Sequence, residues 1–278
     1  VVRIPLSELH PFPNHPFHVR DDEAMQNTVD SIREYGVLTP GIVRPCEDGG
    51  YEIVAGHRRK HGSELAGLSD MPCIVREMDD DTATILMVDS NIQREDILPS
   101  ERAQAYKMKM EALKRQGARS DLTSPQVASK FRADDEVAKA AGVSGDTVRR
   151  FVRLTELQPE LQQMVDDKKI AMTPAVELSY LKPEEQQMLL TAIDSEQATP
   201  SLSQAQRMKK LSQAGKLNDD TMLDIMMEQK KPEKCELTFS GDVLRKYFPR
   251  SYTPQRMQET IIKLLEAWVK KRQRDQER

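Results

Sequence analysis

The stretch Tyr51–Gly67, YEIVAGHRRKHGSELAG, contains the change of pattern that decides how the first part of the chain folds. Its opening residues are mostly apolar and β-branched, which predicts a short buried strand. Gly56, His57 and two arginines follow, and the residues up to Gly67 predict a helix. A glycine at such a junction lets a ligand approach the backbone, and the free N–H groups of a helix start attract anions. Alone, the stretch fits either a phosphate-binding loop or a solvated basic turn.

The residues on either side of this stretch alternate between strand and helix patterns. Runs rich in β-branched residues predict three further strands, within 1–6, 38–45 and 71–78. Helical spacing of apolar residues predicts a helix over 21–36 and a second one whose N-cap is Asp80 or Asp81. We therefore expect a small α+β domain over residues 1–98.

After this domain the pattern is helical throughout. A helix is predicted from Ser100 to Gly117, and further helical segments continue to about Ile193. Residues 195–206, SEQATPSLSQAQ, are small and polar, which is typical of a linker. These patterns predict an all-α second domain over residues 99–197.

The remaining region, 198–278, is predicted to be a linker followed by a small C-terminal α(+β) segment. Residues 233–248 are a strand candidate, and a final helix is predicted from Thr253 to the end. The apolar residues of this helix recur at helical spacing: Met257, Ile261, Leu264, Leu265 and Trp268. Such a stripe favours dimerisation, and packing onto the same chain is the alternative.

Composition limits the classes of protein to consider. The 278 residues are 31% charged with a net charge of −4, so any nucleic-acid binding depends on local basic patches. The three cysteines are far apart and lack metal-type spacing, which indicates a reducing compartment. No apolar run is long enough to cross a membrane, and no leader pattern follows Val1. We expect a cytoplasmic protein without a membrane partner.

Residues 134–154, DDEVAKAAGVSGDTVRRFVRL, have the pattern of a helix-turn-helix. Ala138 allows the two helices to approach closely, Gly142 suits the positive φ of the turn, and Ser144 is placed to cap the second helix. The second helix then exposes a basic face, as a DNA recognition helix does. The residues predicted to contact DNA are Ser144, Gly145, Asp146, Thr147, Arg149, Arg150 and Arg153.

Other features extend these two candidate sites. The helix before the helix-turn-helix carries basic residues predicted to contact phosphates: Arg102, Lys107, Lys109, Lys114 and Arg115. Within 89–96, DSNIQRED, Asn91 and Arg94 are three residues apart and share a helix face. Their amide oxygen and guanidinium suit a metal–phosphate group, although the segment also fits a plain polar helix end.

Taken in order, strand–AGHRR–helix, SNIQRED and the helix-turn-helix resemble the ParB partition proteins, over roughly residues 4–193. The resemblance implies an α+β N-terminal domain of ParB/sulfiredoxin-like fold, followed by an all-α helix-turn-helix domain. It implies a homodimer that binds a palindromic, centromere-like site in double-stranded DNA. It further implies that CTP and Mg²⁺ close the protein as a clamp on DNA, that a ParA-type ATPase is a partner, and that the protein associates with the nucleoid.

Carried over by position, the resemblance assigns residues to a nucleotide site. Thr39, Pro40, Gly41, Val43 and Arg44 would line the cytosine side. Gly56, His57, Arg58 and Arg59 would hold the triphosphate. Ser90, Asn91 and Arg94 would lie near the phosphates, with Asn91 close to the metal.

The chain departs from the family pattern at two positions. His57 and Ser90 stand where the family usually has glutamates associated with nucleotide hydrolysis, and neither orients water or a metal as a carboxylate does. We therefore expect nucleotide binding with, at most, weak CTPase activity. The alternative is a site-specific transcriptional repressor with a vestigial pocket. Sulfiredoxin activity is not expected, because Gly56 occupies the position of the nucleophilic cysteine in that enzyme.

Overall fold

The computed structural model describes residues 1–94, 97–121, 133–228, 244, 246–249 and 251–276. The chain divides into two compact units, Val1–Glu228 and Gln229–Arg278. In the described part of the chain, no helix has the length and apolar character needed to cross a membrane.

A five-stranded mixed sheet organises the first part of the larger unit. Its strands lie in the order β1-β5-β3-β4-β2, with β3 parallel to β5, β2 parallel to β4, and antiparallel pairing elsewhere. The bounds are β1 Val2–Pro5, β2 Leu9–His10, β3 Gly41–Pro45, β4 Tyr51–Ala55 and β5 Asp70–Val75. The four predicted strands are confirmed. The two-residue strand β2 is too short to leave a periodic signal in the sequence.

Three helices accompany the sheet: α1 Glu23–Tyr35, α2 His57–Leu65 and α3 Asp80–Asp89. A Cβ atom added to Gly62 of α2 would lie 2.9 Å from Cδ1 of Ile32, so this glycine lets α2 pack closely on α1. The N-cap of α3 is Asp79, whose side chain accepts a hydrogen bond from the Thr82 N–H group. The prediction of Asp80 or Asp81 as the cap is therefore wrong by one or two residues.

Helices make up the rest of the larger unit. They are α4 Pro99–Asp121, α5 Ala133–Ala141, α6 Gly145–Arg153, α7 Pro159–Asp166, α8 Met172–Leu178, α9 Pro183–Glu196, α10 Leu202–Gln213 and α11 Asp219–Met227. Helix α4 continues through Gly117, so the predicted end there is wrong. A glycine costs an interior helix position only about 1 kcal/mol, which packing readily offsets.

The stretch 195–206, expected to be a linker, contains the start of α10. Ser201 caps this helix by accepting a hydrogen bond from the N–H of Gln204. Ala205 and Met208 of α10 are buried in the same hydrophobic cluster as Leu161 and Leu189. The small polar residues here form a capping turn, and α10 belongs to the core of the larger unit.

The smaller unit contains the final helix, α12, over Pro254–Gln276. This confirms the predicted C-terminal helix. The strand candidate at 233–248 lies largely outside the described residues, so the β part of the C-terminal segment stays a prediction.

Candidate functional site

Two glycines bring the ends of β3 and β4 into close contact at the start of α2. Gly56 has a φ of +117° and occupies the N-cap position of the helix. A Cβ atom there would lie 3.2 Å from Cα of Gly41 and 3.3 Å from Nη2 of Arg59. Only glycine suits both this φ and this approach. The junction therefore leaves the first N–H groups of α2 beside the 39–41 turn without an intervening side chain.

Arg59 holds that turn in place. Its Nη1 donates hydrogen bonds to the carbonyl oxygens of Thr39, at 2.6 Å, and Pro40, at 2.5 Å. Burial lowers the pKa of the guanidinium, although an arginine stays protonated in proteins. Arg59 therefore fixes the 39–41 turn at the edge of the site and adds a positive charge there.

Arg58 is held more loosely than Arg59. Its side chain is 25% exposed, and Nη2 lies 4.0 Å from Oδ1 of Asp22. Asp22 has a separate structural role, because its side chain caps α1 by accepting a hydrogen bond from the Met25 N–H group. At this long distance the pairing is weak, so Arg58 is available to an anion at the start of α2.

His57 connects the start of α2 to the loop after β2. Its ring stacks on His15 with centroids 3.8 Å apart, and its Nε2 accepts a hydrogen bond from the Phe12 N–H group at 3.4 Å. Burial, with smaller effects from His15 and Lys60, lowers the pKa of His57 to about 3. The imidazole is therefore neutral at physiological pH, with its proton assigned to Nδ1 by the hydrogen bond.

The predicted cytosine-side residues differ in what they offer. The side chain of Val43 is fully buried in the sheet core. Arg44 is mostly buried and paired, with Nε 2.5 Å from Glu52 and Nη1 2.7 Å from Asp80. Both side chains are therefore engaged within the protein, and the part of the predicted cytosine side that remains is the 39–41 turn.

The second polar segment forms a compact turn at the end of α3. Ser90 donates through Oγ to the Met87 carbonyl at 2.9 Å, and the amide nitrogen of Asn91 donates to the same carbonyl at 2.9 Å. The N–H of Arg94 closes the turn on the Asn91 carbonyl at 3.0 Å. With its nitrogen engaged, Asn91 is left with Oδ1 as the atom suited to a metal ion.

Arg94 acts electrostatically on His15, in the loop that contacts His57. The pKa of His15 is lowered chiefly by burial, and the charges of His18 and Arg94 lower it further. Because His15 stacks on His57, the charge of Arg94 acts on the loop that contacts the start of α2. The position of His15 in the sequence does not indicate that it stacks on His57, because only folding brings the two rings together.

The helix-turn-helix has the predicted local structure. Gly142 has a φ of +67°, and Ser144 caps α6 by accepting a hydrogen bond from the Thr147 N–H group at 3.1 Å. Val148 is fully buried between the helices. A Cβ atom on Gly145 would lie 2.9 Å from Oδ1 of Asp135, so Gly145 has a packing role as well.

The arginines of α6 make contacts that the sequence does not predict. Arg149 pairs with Asp134 of α5 and with Asp146. Arg150 is exposed and donates through Nη2 to Oγ1 of Thr173 in α8 at 3.0 Å. The arginines of α6 thus contact residues of two other helices, α5 and α8.

Arg153 lies at the other end of that face. It donates to Ser179 and lies over the ring of Tyr180, 4.1 Å from the centroid. Lys209 of α10 lies 3.7 Å from the same centroid. Sequence reasoning missed Tyr180 and Lys209, because only tertiary packing brings them next to the recognition helix.

The basic residues of α4 are mostly engaged within the fold. Arg102 lies 5.6 Å from the ring centroid of Phe151, and Arg115 pairs with Asp81 at 2.7 Å. Lys109 is only 4% exposed. The prediction that Lys109 contacts phosphate is therefore wrong, since its ammonium faces the interior.

Two family models match consecutive parts of the chain. One, described as the ParB N-terminal domain, matches residues 1–92, and the other, the ParB HTH domain, matches residues 95–213. Together they contain the glycine junction, Ser90 and Asn91 at the end of α3, and the helix-turn-helix. The chain belongs to the ParB family.

Individual ParB proteins are similar to it over part of their length. The chromosome-partitioning protein Spo0J of Thermus thermophilus is 36% identical over 185 residues, which are 66% of this chain and 62% of the relative. The chain thus spans less than two thirds of that ParB protein.

Solved structures of ParB from Caulobacter crescentus are also similar. The C-terminally truncated protein complexed to the centromeric parS site is 25% identical, with 76% of this chain and 99% of that chain covered and a TM-score of 0.46. The same protein complexed with CTP-γ-S is 30% identical, with coverages of 64% and 91% and a TM-score of 0.32.

Proposed function

We propose that this chain is a DNA-segregation protein that binds CTP in its N-terminal domain and a centromere-like DNA site through α6. The observation that carries the proposal is the glycine junction: Gly56 opens α2 without a side chain, Arg59 Nη2 lies close to it, and Arg58 follows in the first turn with only a long pairing to Asp22. This combination suits a triphosphate. Membership of the ParB family supports the same ligand class and the same role on a chromosome, plasmid or mobile element.

The residues divide the work of holding the nucleotide. Arg58 and the N–H groups of α2 bind phosphate oxygens, and Arg59 fixes the 39–41 turn against which the base lies. Within the described residues, no group of three His, Cys, Asp or Glu side chains could hold a metal ion. Mg²⁺ bound with the nucleotide would be held by its phosphates and by Oδ1 of Asn91, and would supply positive charge to the phosphate oxygens.

Weak hydrolysis follows from the same geometry. His57 is neutral, and its Nε2 is occupied by the Phe12 N–H group. Ser90 donates its hydroxyl to the Met87 carbonyl. Neither side chain supplies a carboxylate to orient an attacking water, so the protein stays long in its nucleotide-bound state. Binding, and not turnover, then sets how long a clamp remains on DNA.

On the DNA side, the N-terminal turn of α6 reads base edges, and Arg150, an exposed arginine bonded to a neutral hydroxyl, contacts phosphate. A palindromic site requires two copies of α6 and therefore a homodimer. Binding to DNA places the protein at the nucleoid. A ParA-type ATPase is the partner that would move the bound DNA.

Mapping of bound DNA in cells tests the proposal against the repressor alternative. The wild-type protein is expected to spread outward from a few sites, and Arg58→Ala to remain at those sites as narrow peaks. Equilibrium dialysis with CTP and Mg²⁺ should show that the variant has lost nucleotide affinity. Narrow peaks in both proteins would instead indicate a site-specific repressor.

A further inference from the structure

Lys109 is an enclosed charge that the proposed function does not use. This residue of α4 is 4% exposed, and its ammonium pairs with the carboxylate of Asp89, the last residue of α3, whose side chain is 40% exposed. The other residues around the pair are mainly apolar: Val88, Ile92, Tyr106, Val137, Ala140 and Ala141. An ammonium in such surroundings depends on a counter-ion, and among the described residues Asp89 is the one that pairs with it.

Stability alone does not account for this pair. Replacement of a buried ion pair by apolar side chains of similar volume is often neutral or stabilising, whereas removal of one partner is strongly destabilising. Only the lysine end of this pair is enclosed, and apolar packing could fill that space as well. What the pair adds is a fixed geometry for the two helices that it joins.

The pair lies where three helices meet. Asp89 immediately precedes the turn that contains Ser90 and Asn91, while Lys109 belongs to α4. The third helix is α5, the first helix of the helix-turn-helix, which lines the same enclosure. Gln93, in the turn after α3, also donates to the Ala140 carbonyl of α5 at 3.1 Å. The candidate nucleotide segment is thus tied to α4 and to α5 within a few residues.

We propose that the Lys109–Asp89 pair is a strut that makes residues 89–94 and helix α5 move as one body. The proposal rests on the proposed nucleotide site, because it names how occupancy of that site reaches the DNA-binding part. A ligand that displaces the turn at Asn91 displaces Asp89 with it. Because the Lys109 ammonium is enclosed and cannot be solvated by water, it moves with its counter-ion. The contact between α4 and α5 then changes.

The strut has a reciprocal consequence. If nucleotide at residues 89–94 alters the position or stability of α5, then DNA held by α5 and α6 alters nucleotide affinity by the same factor. Lys109 is in this sense a positioning residue: it acts through Asp89 and contacts neither ligand.

Hydrogen–deuterium exchange in α5 tests the strut with three variants of the full chain. Asp89→Asn leaves the ammonium without its counter-ion. The double variant Asp89→Leu/Lys109→Met replaces the pair by apolar side chains and restores packing. Lys210→Met, at an exposed lysine of α10, controls for a change of one charge away from the pair.

Without any ligand, Asp89→Asn is expected to speed exchange of amides 137–141 at least tenfold, while the double variant and Lys210→Met remain within twofold of wild type. Equal exchange in Asp89→Asn and wild type would overturn the strut. This arm needs no nucleotide, so it tests the strut even if the proposed CTP site fails.

With CTP and Mg²⁺ added, wild type and Lys210→Met are expected to change exchange at 137–141 at least threefold. The double variant should bind CTP within about threefold of wild-type affinity by equilibrium dialysis and yet show no change in α5. If it shows the wild-type change, the pair transmits nothing and the proposal is wrong. If wild type binds CTP without any change in α5, the proposal is wrong as well, whereas absence of CTP binding counts against the proposed function.

Discussion

His57 shows how one side chain departs from what its position suggests. In the sequence it stands beside two arginines, which suggests a basic loop. In the structure its ring is stacked on His15 and accepts the Phe12 N–H group, which excludes a positive charge. The residue tethers the loop after β2 to the start of α2, and the charge of the site comes from the arginines.

A pH dependence of stability follows from His57. Its pKa is about 3 in the folded protein and ordinarily 6.5, so the unfolded chain binds more protons between these values. The contribution is complete above pH 6.5 and is lost as pH falls toward 3. Between pH 7.5 and 5 the loss is up to about 2 kcal/mol. Urea unfolding at both pH values should show a smaller loss for His57→Gln than for wild type.

The lowered pKa of His15 acts in the same direction, so the variant retains part of the dependence. His10→Gln, at an exposed histidine of β2, is the control and should behave as wild type. Equal losses in His57→Gln and wild type would contradict the neutral, buried state of His57.

Arg59 gives a second prediction at the same scale. Its guanidinium donates to two successive carbonyl groups, and a lysine has no planar fork to do so. Arg59→Lys is expected to lower CTP affinity roughly tenfold, which is about 1.4 kcal/mol, because the 39–41 turn loses its fixed position. Isothermal titration with CTP and Mg²⁺ measures the change.

Arg3→Lys is the matched control for Arg59, since Arg3 is exposed and paired with Asp70 on the edge of the sheet. It should leave affinity unchanged. If Arg59→Lys binds CTP as well as the control does, the turn does not depend on the guanidinium fork.

At the scale of elements, local signals made the helix-turn-helix predictable. A cap at Ser144, a positive φ at Gly142 and buried Val148 all depend on neighbours in sequence, and the structure has each of them. The burial of Lys109 depends on α3 and α5 together. Spacing in the sequence does not tell which neighbouring element a helical side chain faces. It therefore suggested a solvated, phosphate-binding Lys109, whereas packing encloses this residue.

Recognition helix α6 carries a prediction about salt. Arg150 is exposed and bonded only to a neutral hydroxyl among the contacts described, so it is suited to a phosphate. Arg150→Ala should weaken binding to cognate and random duplexes alike and reduce the slope of log affinity against log salt by about 0.9. Fluorescence anisotropy at several salt concentrations measures both.

Arg33→Ala, on α1 of the sheet domain, is the control for Arg150 and should keep the wild-type slope. A loss confined to the cognate duplex, with the slope unchanged, would place Arg150 on a base edge instead of a phosphate.

At the scale of the whole molecule, the sheet domain and the helix-turn-helix share a core. One hydrophobic cluster contains Phe12 and Val54 from the sheet side together with Tyr106, Val137 and Val148 from the helices. Sequence patterns predicted each part but treated residue 98 as a boundary, because periodicity reports the buried face of an element and not its partner. A shared core gives the candidate nucleotide site a physical path to the DNA-binding helices.

Dimerisation through α12 is the last prediction. Within the smaller unit, Leu264, Leu265 and Trp268 are 63%, 57% and 56% exposed, an apolar surface that favours a partner of the same kind. Leu264→Asp/Leu265→Asp would place carboxylates in that interface, so sedimentation velocity should show the mass falling from dimer to monomer. Gln258→Asp, at an exposed polar position of α12, should stay dimeric. A double variant that also stays dimeric would assign dimerisation elsewhere in the chain.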